Sequence, residues 1–347
     1  MINIKIKNIN ISYDSPPPLI AEIGINHGGS LKLAKKMAKL AVASGADIIK
    51  HQCHIIDDEM SKEADKFKVS YINKSIYKIM KECALSKVDE AKLKAYVEND
   101  LNSVFISTPF SRAAADFLYD LNIPAFKIGS GECNNFPLVE HIAKFKKPII
   151  LSTGMNNLES ISKSVKIIKK FKTPLILMHT TNSYPCPDKN INLNCIKTLQ
   201  SFFKNKIHVG YSDHSVGEVA IQSSVILGAR ILEKHFTDSL KRTGPDIECS
   251  MDPRMCKLIK KNIKRSFHMS KNNKNMQSVE KEVSKFAFAS VCSISAIKEG
   301  EKFTKKNIWV KRPGTGDFLA DSYKSLLGQK AKKDIMPNTQ IKKKDIV

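Results

Sequence analysis

The sequence predicts a (β/α)8 barrel followed by a small β-rich module. Two observations carry this expectation. Eight short apolar runs alternate with amphipathic stretches across residues 19–235, and the composition shifts abruptly after a polar, lysine-rich segment at 271–282. Strand–helix alternation builds parallel βαβ units, and eight such units close into a barrel. A chain of 347 residues accommodates one barrel and one extra module.

Residues 2–13 alternate, with Ile2, Ile4 and Ile6, then Ile9, Ile11 and Tyr13, on either side of "KN". Period two predicts a hairpin. "PPP" at 16–18 ends it, because proline offers no N–H. Residues 1–18 are therefore expected to cap the bottom of a barrel spanning 19–270. The barrel runs are "LIAEIG" (19–24), "DIIKHQ" (47–52), "SVFIST" (103–108), "AFKIGS" (125–130), "PIILST" (148–153), "PLILMHT" (174–180), "IHVGYSD" (207–213) and "RILEKH" (230–235). Helical patterns such as "SLKLAKKMAKLAVASGA" (30–46), "DEAKLKAYVEN" (89–99) and "LESISKSVKIIKKF" (158–171) lie between them. One connection, 53–88, is long, with "SIYKIMKE" (75–82) as its only helical patch; long βα loops often build active sites. Residues 271–284 read as a linker. Residues 285–347 hold short strands and turn residues, about 60 in all, near the lower size limit for folding alone.

Composition narrows the function classes. No run approaches the roughly 20 apolar residues that span a bilayer, and "MINIKIKNINISYDSPPP" lacks the apolar block of a signal peptide. A soluble cytoplasmic protein is expected, with no membrane partner. Eight scattered cysteines without CxxC spacing suit neither zinc nor a disulfide framework. The net charge of +23 invites a nucleic-acid reading. Only six basic residues are arginine, however, and a dedicated reader of phosphate and guanine needs that planar fork. No nucleic-acid partner is expected.

In a parallel barrel the C-terminal strand ends face the catalytic mouth. Here those ends carry Glu22; Lys50 and Gln52; Thr108; Lys127 and Ser130; Ser152; His179, Asn182 and Tyr184; Ser212, Asp213 and His214; Glu233 and His235. Buried strands avoid polar groups unless those groups are paired or used, and eight converging sets predict a site. Lys50 and Lys127 among hydroxyls and amides suit a small, densely anionic ligand such as a phosphorylated carboxylate. His214 and His235 end neighbouring strands and can share one divalent ion, with oxygen ligands and open positions. Asp213 and Glu233 read as supporting partners rather than ligands. "RTGPDI" (242–247) sets Asp246 in a turn over the mouth. A Schiff-base aldolase using Lys127 and a non-catalytic basic binding protein remain alternatives.

The motifs are more specific. "AEIGINHGGSL", "FISTPFSRAAADFL", "FKIGSGECNNFPL", "IILSTGMN", "TTNSYPCP", "GYSDHS", "LEKHFTD", "GPDIECSM" and "FAFASV…VKRPGTGDF" together resemble the sialic acid synthase family over almost the whole chain. The resemblance implies a (β/α)8 TIM barrel with a C-terminal antifreeze-like (SAF) domain, assembled as a domain-swapped homodimer. It implies condensation of N-acetylmannosamine with phosphoenolpyruvate and water to N-acetylneuraminate and phosphate, with C–O cleavage and a divalent metal: Mn2+ first, Mg2+ or Co2+ as alternatives. Lys50, Thr108, Lys127, Ser130, Ser152, Asn182 and Ser212 fall on phosphoenolpyruvate positions, and His214 and His235 on metal ligands. Glu22 is the acid beside metal and substrates. Gln52, Tyr184 and Asp246 fall on sugar positions, with Asn73 standing for a further contact in an altered motif, and Arg312 would reach the partner chain's sugar. A legionaminic or pseudaminic acid synthase, acting on a diacetamido-dideoxy hexose, is the alternative within the same resemblance.

Overall fold

The computed structural model describes residues 3–69 and 74–347, and of 68 and 69 the backbone alone. Ile2 of the expected hairpin and Asn73 lie outside the described residues. The chain divides into two compact units, Met1–Lys271 and Asn272–Val347.

In the first unit β1 (Ile4–Ile6) and β2 (Ile9–Ile11) form an antiparallel hairpin, Ile4 opposite Ile11 and Ile6 opposite Ile9. Next come β3 (Leu19–Glu22), α1 (Leu31–Ala43) and β4 (Ile48–Cys53). The long connection holds α2 (Ile56–Glu59), a 3-10 turn at Lys62–Lys66, a two-residue pair β5 (Lys68–Val69) and β6 (Lys74–Ser75), and α3 (Ile76–Cys83). The sequence signals only the last of these, because single turns and two-residue strands show no periodicity. Then follow α4 (Lys87–Ala95), β7 (Val104–Pro109), α5 (Arg112–Asp120), β8 (Phe126–Ile128), α6 (Phe136–Lys144), β9 (Ile149–Ser152), α7 (Leu158–Lys170) and β10 (Leu175–His179). The unit ends with α8 (Asp188–Ile191), α9 (Cys195–Phe202), β11 (His208–Asp213), α10 (Val219–Ile226), β12 (Leu232–His235) and α11 (Pro253–Met269). Strands β3, β4 and β7 to β12 are parallel and closed, β12 pairing with β3. Several helices start where side chains accept the free N–H groups of the first turn: Ser30 for α1, Ser86 for α4, Ser111 for α5, Asn157 for α7 and Asp252 for α11.

Successive strand residues point to opposite faces, so one register decides everything. Leu19, Ala21, Ile49, Phe105, Phe126, Ile149, Leu151, Leu177, Tyr211 and Leu232 face outward and pack in the core shared with the helices. Ile20, Ile48, Ile106, Ile150, Ile176, Met178 and Ile231 face inward, in one cluster with Ile4, Ile6 and Ile11 of the hairpin. The hairpin therefore plugs the N-terminal end of the barrel. The same alternation, continued along each strand, aims Glu22, Lys50, Gln52, Thr108, Lys127, Ser152, Ser212, Glu233 and His235 into the opposite end.

In the second unit α12 (Lys281–Ala287) occupies part of the stretch expected as linker. Strands β13 (Ser290–Ser293) and β14 (Ile308–Lys311) are antiparallel, and α13 (Tyr323–Leu326) follows. Val291, Ile297, Phe303, Ile308, Leu326, Ala331, Ile335 and Ile341 form this unit's own core. No helix of the described residues is long and apolar enough to cross a membrane. All eight cysteines are free thiols.

Candidate active site

Lys50, Gln52, Thr108, Lys127, Ser130, Ser152, Asn182, Tyr184, Ser212, His214, His235 and Asp246 line one cavity of about 410 Å3 at the C-terminal strand ends. Glu22 is fully buried against it. Twelve residues spread over nearly 200 positions thus share one space, because parallel closure stacks all strand ends on one rim.

Glu233 organises the two lysines. Its Oε1 stands 3.4 Å from Lys50 Nζ and 3.4 Å from Lys127 Nζ, and it accepts from Ser212 Oγ at 3.1 Å. Lys50 also lies 3.7 Å from Glu22 Oε1 and donates to Thr108 Oγ1 at 3.4 Å. Lys127 donates to Ser152 Oγ at 2.7 Å. Burial pulls the Lys127 pKa down to about 8 despite the pull of Glu233, and Lys50 adds to the depression. For Glu22 and Glu233 burial works toward neutrality, but the neighbouring cations outweigh it and hold both carboxyls below the usual range. The result is a buried pocket in which two lysines and two ionised carboxylates are linked by contacts of 3.7 Å or less.

Beside the lysines is the histidine pair, ring centroids 5.3 Å apart. His214 Nδ1 donates to the Thr181 carbonyl at 2.8 Å. Burial, reinforced by His235, holds its pKa near 3, so the ring is neutral and its free lone pair is on Nε2. His235 Nδ1 lies 2.6 Å from Glu22 Oε2 and 3.5 Å from Asp246 Oδ2. Yet Nδ1 and both Glu22 oxygens have no partner in hydrogen-bond geometry. Atoms so close without donating to one another converge on a common point, as ligand atoms do. Glu22, His235 and Asp246 each offer a donor atom within 4.8 Å of the others. Burial works to lower the His235 pKa, but Glu22 and Asp246 outweigh it and raise it. The pocket favours positive charge at this position. The donor set fits a divalent ion.

Other expected residues take differing places. Asn182 Nδ2 donates to Tyr184 Oη at 3.3 Å and leaves its Oδ1 unpartnered. Ser130 Oγ accepts from Gly154 N–H at 3.1 Å. Asp246, expected in a turn over the mouth on a sugar position, is buried against His235. His179 ends a strand but takes the outward register: its Nε2 meets the Ile191 carbonyl at 2.7 Å and its ring stacks on Tyr211, so it is not part of the mouth. Asp213 also faces outward and holds Lys234 at 2.8 Å. Arg312 follows β14 in the second unit.

The cavity also contains residues the strand-end reading passes over. His54 bridges Glu59 Oε2 at 2.9 Å and Gln52 Oε1 at 3.1 Å. Glu132 has its pKa raised by burial, with Glu59 adding, to about 7. His54 lies one residue past the end of β4, where the strand alternation no longer dictates a face.

Residues 37–275 match the model of the NeuB family, and residues 290–347 match the SAF domain. An uncharacterized protein of Methanocaldococcus jannaschii is 39% identical over 96% of this chain and 96% of its own length. The N,N'-diacetyllegionaminic acid synthase of Campylobacter jejuni is 36% identical over 91% of this chain and 96% of its own. Among solved structures, the N-acetylneuraminic acid synthetase of Leptospira borgpetersenii superposes with a TM-score of 0.74 at 31% identity, covering 81% of this chain and 95% of that one. From barrel to C-terminal module, the chain belongs to the NeuB family.

Proposed function

We propose that the chain condenses phosphoenolpyruvate with N-acetylmannosamine and water to give N-acetylneuraminate and phosphate. The observation that carries this reading is the pairing of Lys50 and Lys127 on one carboxylate oxygen in the same cavity as His214 and His235. Two buried ammoniums suit a ligand with both carboxylate and phosphate. The histidine side suits an aldehyde oxygen.

Glu22, His235 and Asp246, whose donor atoms lie within 4.8 Å of one another, together with His214 beside His235, are the residues that would hold a divalent ion; when bound, such an ion supplies Lewis-acid polarisation of a carbonyl oxygen. Manganese is the first choice. Lys50 and Lys127 neutralise the phosphoenolpyruvate charges, assisted by the hydroxyls of Thr108, Ser130, Ser152 and Ser212 and by Asn182. Held in this way, C3 of phosphoenolpyruvate reaches the aldehyde carbon of the open-chain sugar. The new carbon–carbon bond leaves cationic character at C2 and an alkoxide at the former aldehyde oxygen. Glu22 takes one proton from the water that adds at C2, and the equivalent of that proton converts the alkoxide to a hydroxyl. The tetrahedral centre then collapses to the ketone, its hydroxyl proton leaving with the phosphate as the C2–O bond breaks. Gln52, Tyr184 and Asp246 orient the sugar, and Arg312 of the partner subunit in a domain-swapped homodimer closes over it. Apolar side chains exposed on α12, Val283 and Phe286, support such docking. The reaction is placed in the cytoplasm.

The relative from Campylobacter jejuni favours a second reading, a diacetamido-dideoxy hexose as acceptor in a legionaminic or pseudaminic acid synthase. Phosphate release from phosphoenolpyruvate with a panel of 2-acetamido sugars, with and without Mn2+, decides. Release with N-acetylmannosamine alone supports the first reading. Release only with a diacetamido sugar supports the second, and release with no sugar in the panel sinks both.

A further inference from the structure

Behind the cavity, on the outward face of β4, buried polar groups run from α4 to the loop that follows β3. Gly29 N–H donates to His27 Nδ1 at 3.2 Å. An N–H can only donate, so Nδ1 carries a lone pair. Burial, with His51 beside it, holds the His27 pKa near 3; the ring is neutral and its proton sits on Nε2. That Nε2 meets His51 Nε2 at 3.0 Å. Two N–H groups cannot face each other, so His51 Nε2 accepts and its proton is on Nδ1. His51 Nδ1 stands 3.0 Å from Glu90 Oε1, obliquely rather than in line, and Glu90 accepts from Ser107 Oγ at 2.7 Å. These four side chains are all at most 2% exposed, in a layer otherwise filled by Leu93, Val97 and Phe105. Apolar residues there would avoid the desolvation cost, so two imidazoles and a carboxylate in this layer call for a role.

The loop they anchor shapes the site. Gly24 lies so close to the Glu22 carboxylate that a Cβ there would fall 2.5 Å from Oε2. Ile25 lines the cavity. Asn26 Nδ2 donates to the Phe236 carbonyl at 3.0 Å, one residue past His235. Gly29 has φ +77° and faces the Glu82 carbonyl, which a Cβ would approach to 2.4 Å, so the loop's far end is wedged against the end of α3.

We propose that Glu90, His51 and His27 are positioning residues: a close-set row, in which Glu90 holds the His51 ring by charge and His51 accepts from His27, that fixes the 23–29 loop and, through Gly24, sets the Glu22 carboxylate for the water-addition step. The inference rests on the reading of Glu22 as base given above. Three substitutions of His51 test it. His51→Gln places an amide oxygen near Nε2 and keeps an acceptor for His27. His51→Asn is too short to reach, and His51→Phe keeps shape without polarity. The expected result is kcat within about threefold for His51→Gln but down about 10–100-fold for the other two, as for a displaced catalytic group, with the phosphoenolpyruvate KM unchanged. Equal kcat in all three, or kcat losses that follow the losses in Tm, would overturn this positioning role. Imidazole 15N shifts of the unsubstituted protein test it without any variant: His27 should be protonated at Nε2 and His51 at Nδ1, and the reverse pattern overturns it. That measurement is made on the resting protein, so its result is separate from whether any sugar in the panel supports phosphate release.

Discussion

Lys127 Nζ stands 3.4 Å from Glu233 Oε1, and Lys50 Nζ stands at the same distance from the same oxygen. One carboxylate oxygen shared by two ammoniums leaves each of them with donor capacity for an incoming anion. A hydrogen bond from a charged group contributes about 1.5–3 kcal/mol, so Lys127→Met should raise the phosphoenolpyruvate KM by about 10–100-fold and the sugar KM little. Steady-state kinetics with each substrate varied in turn checks this. A larger effect on the sugar would move Lys127 out of the anion site.

The same lysine sets a pH limit. With its pKa brought down to about 8, Lys127 is charged below that value and neutral above it. The phosphoenolpyruvate KM should therefore be flat from pH 6 to about 7.5 and rise by about tenfold per unit above about pH 8. Stability runs the other way. Between about 8 and the ordinary 10.5 the unfolded chain holds a proton that the folded chain has lost, so this group's contribution rises with pH over that window. Glu233→Gln removes the carboxylate that raises the Lys127 pKa, and the break in KM should move to lower pH. An unmoved break would separate Glu233 from the titration.

Glu22→Gln should fold normally and lower kcat by about 10²–10⁴-fold, the range of a general base. Because Glu22, His235 and Asp246 offer donor atoms within 4.8 Å of one another, Mn2+ affinity should fall as well, by about 10–100-fold. Calorimetric titration with Mn2+ and a phosphate-release assay at saturating metal separate the two effects. A kcat near that of the unsubstituted protein at saturating metal removes Glu22 from the chemistry.

His214 has its Nδ1 committed to the Thr181 carbonyl, which leaves Nε2 for a ligand. His214→Ala should abolish Mn2+ binding by titration and with it all metal-dependent turnover, with no rescue at any metal concentration. The fold should persist, since among the described residues the ring's shortest hydrogen bond is to a loop carbonyl. Full activity in the variant that EDTA abolishes would place the metal elsewhere, and full activity insensitive to EDTA would remove the metal from the reaction.

How much of this was legible in the sequence depends on whether a side chain sits in a strand. Lys50, Gln52, Thr108, Glu233 and His235 could be assigned because period two, once anchored on Ile20 or Ile48 facing the hairpin, dictates the face of every later residue. His179 shows what happens when a strand end is read without that anchor: Met178 faces in, so His179 faces out. Past the last ladder bond the rule lapses. Glu59 ends the single turn of α2 and Glu132 sits in a loop, and nothing local says that they turn back to the cavity. The burial of Asp246 beside His235 and the link from His27 to Glu90 are tertiary facts, fixed by barrel closure and by packing of α4 on the barrel. No spacing in the chain encodes them.

Arg312 bears on assembly. It follows β14 in a unit with a core of its own, and a guanidinium can donate to a sugar's acetamido carbonyl. If it serves the partner subunit's cavity, Arg312→Ala should raise the sugar KM by about 10–100-fold and leave the phosphoenolpyruvate KM nearly unchanged. Equal effects on both would argue against that placement. Complementation is the sharper measurement. Arg312→Ala and His214→Ala homodimers should each be nearly inactive at low sugar. In a mixed swapped dimer, the barrel that keeps His214 receives Arg312 from its partner, so one of the two sites is intact. After dissociation and reassembly at equal ratio, half the dimers are mixed, and activity should recover to about a quarter of the unsubstituted level, as a closed two-fold exchange requires. If each chain's Arg312 served its own barrel, mixing would restore nothing.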